Sequence, residues 1–189
     1  MPQNAGCWTH LRVPRFRNQS ISQGMMLGVN VTRTPLGDAS ARRAGTSDAD
    51  ELARLRWIWR AVERNEKGLV DRFREEFAAW ILEHERSHVP YLVEVGGSAV
   101  GMAWFAIIER VPGPEIWKRL SGHIQSVYVT ADHRDGGLGS LLIQELIQGA
   151  RDEGLDYLIV HPSQRSFPFY RRLGFTGEGD LLFLELASD

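Results

Sequence analysis

Apolar residues recur along this chain in two rhythms, and the change between them marks the elements. Leu52, Leu55, Trp59 and Val62 follow one another at helical spacing, with Ser47 and Asp50 ahead of them as start signals. Gly68 interrupts. Leu69, Phe73, Phe77, Trp80 and Ile81 then mark a second helix running to about His88, with Pro90 as its stop. Such aromatics predict a packed helix face. Upstream, "SARRAG" at 40–45 is a short strand candidate.

Beyond Pro90 the rhythm becomes that of strands. "YLVEV", then "GGS", then "AVGMAWFAIIER" predicts a β-hairpin. A proline-bearing loop, "VPGPEIWKRLSG", leads to a third strand, "HIQSVYVT". Leu138, Leu141, Leu142, Leu146 and Ala150 form the stripe of another helix. "DYLIVH" is a short buried strand, "SFPFYRRLGF" a short helix and "LLFLEL" a closing strand. Hairpin strands first and a strand–helix–strand unit last imply an α/β chain. Its mixed sheet would have about six or seven strands flanked by helices.

Composition narrows the class. The 189 residues are 43% hydrophobic and 24% charged, as in a globular domain. A net charge of −2 gives no global reason to expect nucleic acid or an acidic membrane as partner. The single cysteine, Cys7, excludes an internal disulfide framework and a cysteine-rich zinc site, and fits a cytosolic setting. Residues 1–40 differ from the rest, with four arginines against Asp38 and a local charge of +3, the remainder carrying −5. "MMLGV" is too short for a secretory core, and no run approaches a membrane span. Residues 1–40 are therefore expected to be a flexible leader and 41–189 the folded domain.

The chemistry centres on "HRDGGLGSLL", residues 133–142. Three glycines in four positions open a helix, where each costs about 1 kcal/mol against alanine. A helix N-terminus offers unpaired N–H groups and the positive end of the dipole, and glycine lets a phosphate reach them. Arg134 adds a cationic fork. Chain reversal alone is the other reading of such a turn. Rival motifs are missing from the sequence: Gly-Lys-Ser/Thr, a full Gly-x-Gly-x-x-Gly, Gly-x-Ser-x-Gly and His-Glu-x-x-His.

Arg134-Asp135-Gly136-Gly137-Leu138-Gly139 resembles the Arg/Gln-x-x-Gly-x-Gly/Ala motif of the GNAT superfamily of acyl-CoA-dependent N-acyltransferases. "SVYV" precedes it, and "SQRSFPFYRRLGF", beginning 24 residues after Gly139, is similar to the family's second signature. The likeness covers roughly residues 41–186 and includes the order of elements. It implies a GNAT-like sheet that moves acetyl from acetyl-CoA directly to an amine in a ternary complex, with no metal. It further implies that Val127, Tyr128 and Val129 bond the pantetheine arm, that the turn from Arg134 and Asp135 to Ser140 holds the pyrophosphate, and that Tyr170 protonates the leaving thiolate. The plain alternative for Tyr170 is a core tyrosine.

Three positions depart from the family pattern. Asp135 stands where glycine is common, Gly136 where a basic residue is frequent, and Ser163 where an asparagine is frequent seven residues before the tyrosine. Ser163 can still bond pantetheine through its hydroxyl. The base is open. Some relatives carry a glutamate eleven residues before the motif, and His123 occupies that position here. His123 near its ordinary pKa could accept a proton, or be a surface histidine at a strand start. Gln125 could position a water, and Glu109 is a reserve. The acceptor would lie against residues 47–88 and 111–121, whose charges have no dominant sign. A small amine, an amino acid, an antibiotic and a protein N-terminus stay open, a second copy of the chain is a candidate partner, and a silent acyl-CoA-binding sensor is the rival to an enzyme.

Overall fold

The structure is a computed structural model, and it describes residues 38–61 and 70–186. The expected leader up to residue 37, Val62, Gly68 and Leu69 lie outside the described residues. Among those described, six strands form one sheet in chain order: β1 (Ala39–Arg43), β2 (His88–Val95), β3 (Ser98–Glu109), β4 (Leu120–Val129), β5 (Tyr157–Val160) and β6 (Leu182–Glu185). All neighbours are antiparallel except β4 and β5. The described helices are α1 (Ala49–Ala61), α2 (Val70–Glu83), α3 (Leu138–Asp152) and α4 (Phe167–Arg172).

The hairpin falls where the strand pattern puts it. Gly96 and Gly97 take φ of +57° and +78°, as a two-residue primed turn demands. Alternation along the strands sends side chains to two cores. Val89, Tyr91, Phe105 and Ile124 meet Leu142, Leu146 and Ala150 of α3 on one face. Leu92, Met102, Trp104 and Tyr128 meet Leu52 and Leu55 of α1 and Ile81 of α2 on the other. Each such fully buried side chain contributes about 1.5–3 kcal/mol. Gly149 lets α3 approach closely, because a Cβ there would collide with the Tyr91 hydroxyl.

Two local expectations need correcting. Ser47 and Asp50 do not start α1. A 3-10 turn over Thr46–Asp48 precedes the helix, and the Asp48 carboxylate accepts the Gly45 N–H at 2.9 Å. Arg42 donates to the same carboxylate at 2.7 and 3.0 Å and holds its pKa below the ordinary value. Pro90, read as a helix stop, is instead buried within β2, and α2 ends earlier at Glu83. The Pro90 carbonyl accepts from Ala44, so its nitrogen points to the same side, past the end of the β1 ladder. The missing N–H removes only the return bond to the Ala44 carbonyl, and the β1 ladder ends there, while pairing with β3 on the other side is kept.

One irregularity prepares the site. Met102 pairs with Tyr128 but Trp104 with Gln125, so one residue of β3, Ala103, faces two of β4, Ser126 and Val127. The extra residue is Ser126, at φ +54°. Pairing of β4 with β5 stops at Ile124 and Val160, whereas β4 continues to Val129. The two parallel strands part at the bulge.

Candidate active site

The glycine run opens α3 as its pattern suggests. Gly137 is the N-cap at φ +87°, a conformation that side chains resist. Its carbonyl accepts from Ser140 and Leu141 at 3.0 and 3.1 Å. The N–H groups of Asp135 to Gly139 have no acceptor among the described residues. Asp135 itself sits at φ +62°. That is a glycine-like backbone, which aspartate tolerates better than most residues.

In front of these donors lies a cavity of about 620 Å³. Val127, Tyr128 and Val129 of β4 form one wall, and Arg134, Asp135, Gly137, Gly139 and Ser140 another. Phe169 and Tyr170 of α4 close the third side. Arg134 donates from Nε to the Val129 carbonyl at 3.0 Å, and its guanidinium lies 5.7 Å from the Tyr128 ring centre. This fixes the fork beside the turn. His133, Arg165 and Arg172 also line the cavity, so its charge is mainly positive, with Asp135 the lone acid among the described residues. Arg165, in the 3-10 turn before α4, and Arg172, at its end, stand in the second signature, but only the fold shows that they line this cavity.

Other expected residues stand beside the cavity and not in its wall. Gly136 is among them. Leu138 is 1% exposed and anchors the helix start in the core. Ser163 is exposed, with its Oγ 2.8 Å from that of Ser166, and Ser166 is the serine that lines the cavity.

Tyr170 is 4% exposed, held edge-on between Phe169 and Phe175 at ring distances of 5.0 and 5.4 Å. Burial alone pushes its pKa above the ordinary value. The phenol therefore stays protonated at neutral pH, the state a proton donor needs.

On the α1–α2 side of the bulge lies a second cavity, of about 330 Å³. Its walls are Arg56, Phe73, Phe77, Trp80, His88, Trp104, Gln125 and Ser126. The sequence pattern marks these aromatics as core and does not single out Arg56 or His88. Arg56 donates to Ser126 Oγ at 2.7 Å and lies 4.9 Å from the Trp59 ring centre. Burial, then the charge of His84, lowers the pKa of His88.

His123 lines neither cavity. Its Nε2 is 3.2 Å from Nδ1 of His161, and burial, then the charge of His161, lowers its pKa. His88 and His123 both pair with Ala106, from opposite sides, and so flank it on one face of the sheet. Glu109 is exposed at the far end of β3.

The sequence model of the acetyltransferase (GNAT) family matches residues 50–175, and the chain belongs to that family. Over 68 residues it is 38% identical to glucosamine 6-phosphate N-acetyltransferase of Trypanosoma brucei brucei, covering 36% of this chain and 46% of the relative. Over 109 residues it is 32% identical to an L-methionine sulfoximine/L-methionine sulfone acetyltransferase of Pseudomonas aeruginosa, covering 54% and 60%. The chain thus spans about half the length of the curated relatives it matches. A crystal structure described as a predicted acetyltransferase with acetyl-CoA, from Clostridium acetobutylicum, superposes with a TM-score of 0.58 at 19% identity, covering 79% of this chain and 96% of the other. That likeness shows the mixed six-stranded fold.

Proposed function

We propose that the chain is a cytosolic N-acetyltransferase that moves acetyl from acetyl-CoA directly to an amine in a ternary complex. One observation carries this reading. The buried Tyr170 phenol shares a single cavity with the unpaired N–H groups at the start of α3. Those donors, with Arg134, suit a pyrophosphate. The free edge of β4 at Val127 to Val129 suits the amide-bearing pantetheine arm, and Arg165 and Arg172 add charge for the remaining phosphate. Ser163 supports the loop through Ser166.

The amine nitrogen attacks the thioester carbonyl carbon, the C–N bond forms and the C–S bond breaks. Tyr170 gives its phenolic proton to the departing thiolate. The surplus proton of the amine leaves to a base. His123 is our assignment, acting through water held by Gln125, two residues away on the same face. Its lowered pKa keeps it neutral and able to accept. His88, which lines the second cavity, is the alternative base. Relatives named for glucosamine 6-phosphate and L-methionine sulfoximine support a small-molecule amine as acceptor.

A silent acyl-CoA sensor is the second reading, and the position of His123 outside both cavities favours it. Calorimetry with CoA and thiol release from acetyl-CoA with a panel of amines separate the two. The enzyme binds and turns over, whereas the sensor binds and releases no thiol above the blank.

A further inference from the structure

We propose that the smaller cavity is the acceptor subsite and selects a free amino acid with an aromatic side chain, its carboxylate bound by Arg56. The inference rests on the reading that the larger cavity holds acetyl-CoA.

The walls set the shape of the guest. Phe73 and Phe77 stack at 5.2 Å, Phe77 and Trp80 at 5.9 Å, and Trp104 is tilted by about 60° to both Phe77 and Trp80. Phe73, Phe77 and Trp80 are only half-buried. The slot is an open aromatic surface that a planar ring can complete by stacking or edge contact.

Charge sets the head group. Arg42, Arg43, Arg54, Arg72, Arg74 and Arg110 each pair with a carboxylate. Arg56 is one of the arginines that do not, among the described residues, and of these it is the one that lines this cavity. Its partners are a hydroxyl and an indole face, while burial and Arg60 disfavour its charge. A guanidinium keeps that charge nevertheless. Among the described residues no acid lines the cavity, so nothing there repels an anion or would hold the second charge of a diamine. One guanidinium beside one hydroxyl matches the two oxygens of a carboxylate.

Position sets the reacting atom. Gln125 and Ser126 line this cavity, and the next three residues of β4 line the other. A carboxylate at Arg56 and Ser126, with a ring in the slot, leaves an α-amine at the bulge, where the acyl group would end. Transfer gives the N-acetyl amino acid and CoA, with the amine's surplus proton released.

The test compares L-tryptophan and L-phenylalanine with L-tryptophanamide, tryptamine and glucosamine 6-phosphate, following thiol release under saturating acetyl-CoA. The free amino acids should exceed the amide and tryptamine in kcat/KM by roughly 10–100-fold, the usual worth of a hydrogen bond to a charged group. Arg56→Gln should collapse that ratio toward one, and Arg56→Lys should restore part of it. Equal rates for tryptophan and its amide overturn the proposal and point to a peptide N-terminus. A preference for glucosamine 6-phosphate overturns it in favour of a phosphate. CoA binding without transfer to tryptophan overturns it and leaves the cofactor reading standing. Loss of CoA binding in the wild type would instead remove the reading beneath it.

Discussion

The two cavities, lined by successive residues of β4 at the Ser126 bulge, are built by different means. The larger presents backbone to its guest: N–H groups at the start of α3 and the open edge of β4. The smaller is lined by aromatic and polar residues of α1, α2, β2, β3 and β4. A backbone site binds what every relative shares, because main-chain donors do not change when side chains do. A side-chain site can be rebuilt one residue at a time. The contrast supports the proposed reading, a common cofactor in the first and a particular acceptor in the second.

The largest expected effect tests the one side chain on which the backbone-built cavity depends for chemistry. Tyr170→Phe keeps the ring between Phe169 and Phe175 and removes the phenolic proton. kcat should fall by roughly 10²–10⁴-fold, the span of general acid–base catalysis. CoA affinity measured by calorimetry should hold, since the hydroxyl matters mainly in the transition state. A full-rate variant would mean that the thiolate leaves without this proton.

Gly137→Val strikes the backbone itself. At φ +87° a β-branched residue is strained by about 1–3 kcal/mol, and relief of that strain would turn the turn's N–H groups away. CoA should bind roughly 10–100-fold more weakly, with native circular dichroism. Tight binding by this variant would show that the cationic side chains, and not the main chain, hold the cofactor.

A smaller effect lies in the histidines flanking Ala106. His88 and His123 are both depressed below the ordinary histidine value in the fold. The unfolded chain therefore takes up protons first, as pH falls below about 6.5. Their contribution is whole above that value and is lost as pH falls through the lower folded values. The melting temperature should drop on acidification from pH 7 toward 5, and His123→Gln should flatten that profile. If His123 is also the base, the acid limb of kcat/KM should vanish in the same variant. An unchanged limb would transfer the role to His88.

The same contrast explains what is legible in the sequence. Glycine spacing encodes backbone approach directly, so Gly137 and Gly139 and the helix behind them are apparent from the order of residues. Tyr170 stands out only through the likeness of "SQRSFPFYRRLGF" to the family's second signature. Ser126 carries no signal, because a bulge depends on register between two strands, and nothing in "HIQSVYVT" marks the extra residue. Arg56 reads as one more arginine on a charged helix. Its distinction is its place in the wall of the smaller cavity with no carboxylate partner among the described residues, and placement is a property of tertiary structure. Pro90 misleads for a related reason. Its cost depends on which partner its N–H would serve, and here that is only the return bond to Ala44, just past the end of β1.

The smallest effect concerns the one residue at which the backbone site departs from its own logic. Asp135 holds a left-handed backbone, at φ +62°, that glycine would adopt freely, and it brings an acid to the wall of a cavity whose other charged lining residues are arginines. Asp135→Gly removes both the strain and the repulsion of a phosphate. An exposed charge near a helix N-terminus is worth about 0.3–1 kcal/mol, so CoA should bind a few-fold more tightly, most clearly at low salt. The glycine also adds freedom to the unfolded chain, which lowers folding stability and not CoA affinity. Asp135→Asn separates the two causes, since it removes the charge and keeps a side chain that tolerates the same φ. Equal tightening in both variants assigns the effect to charge. Tightening confined to glycine assigns it to backbone strain, and weaker binding in both would mean that the carboxylate helps to hold the turn open.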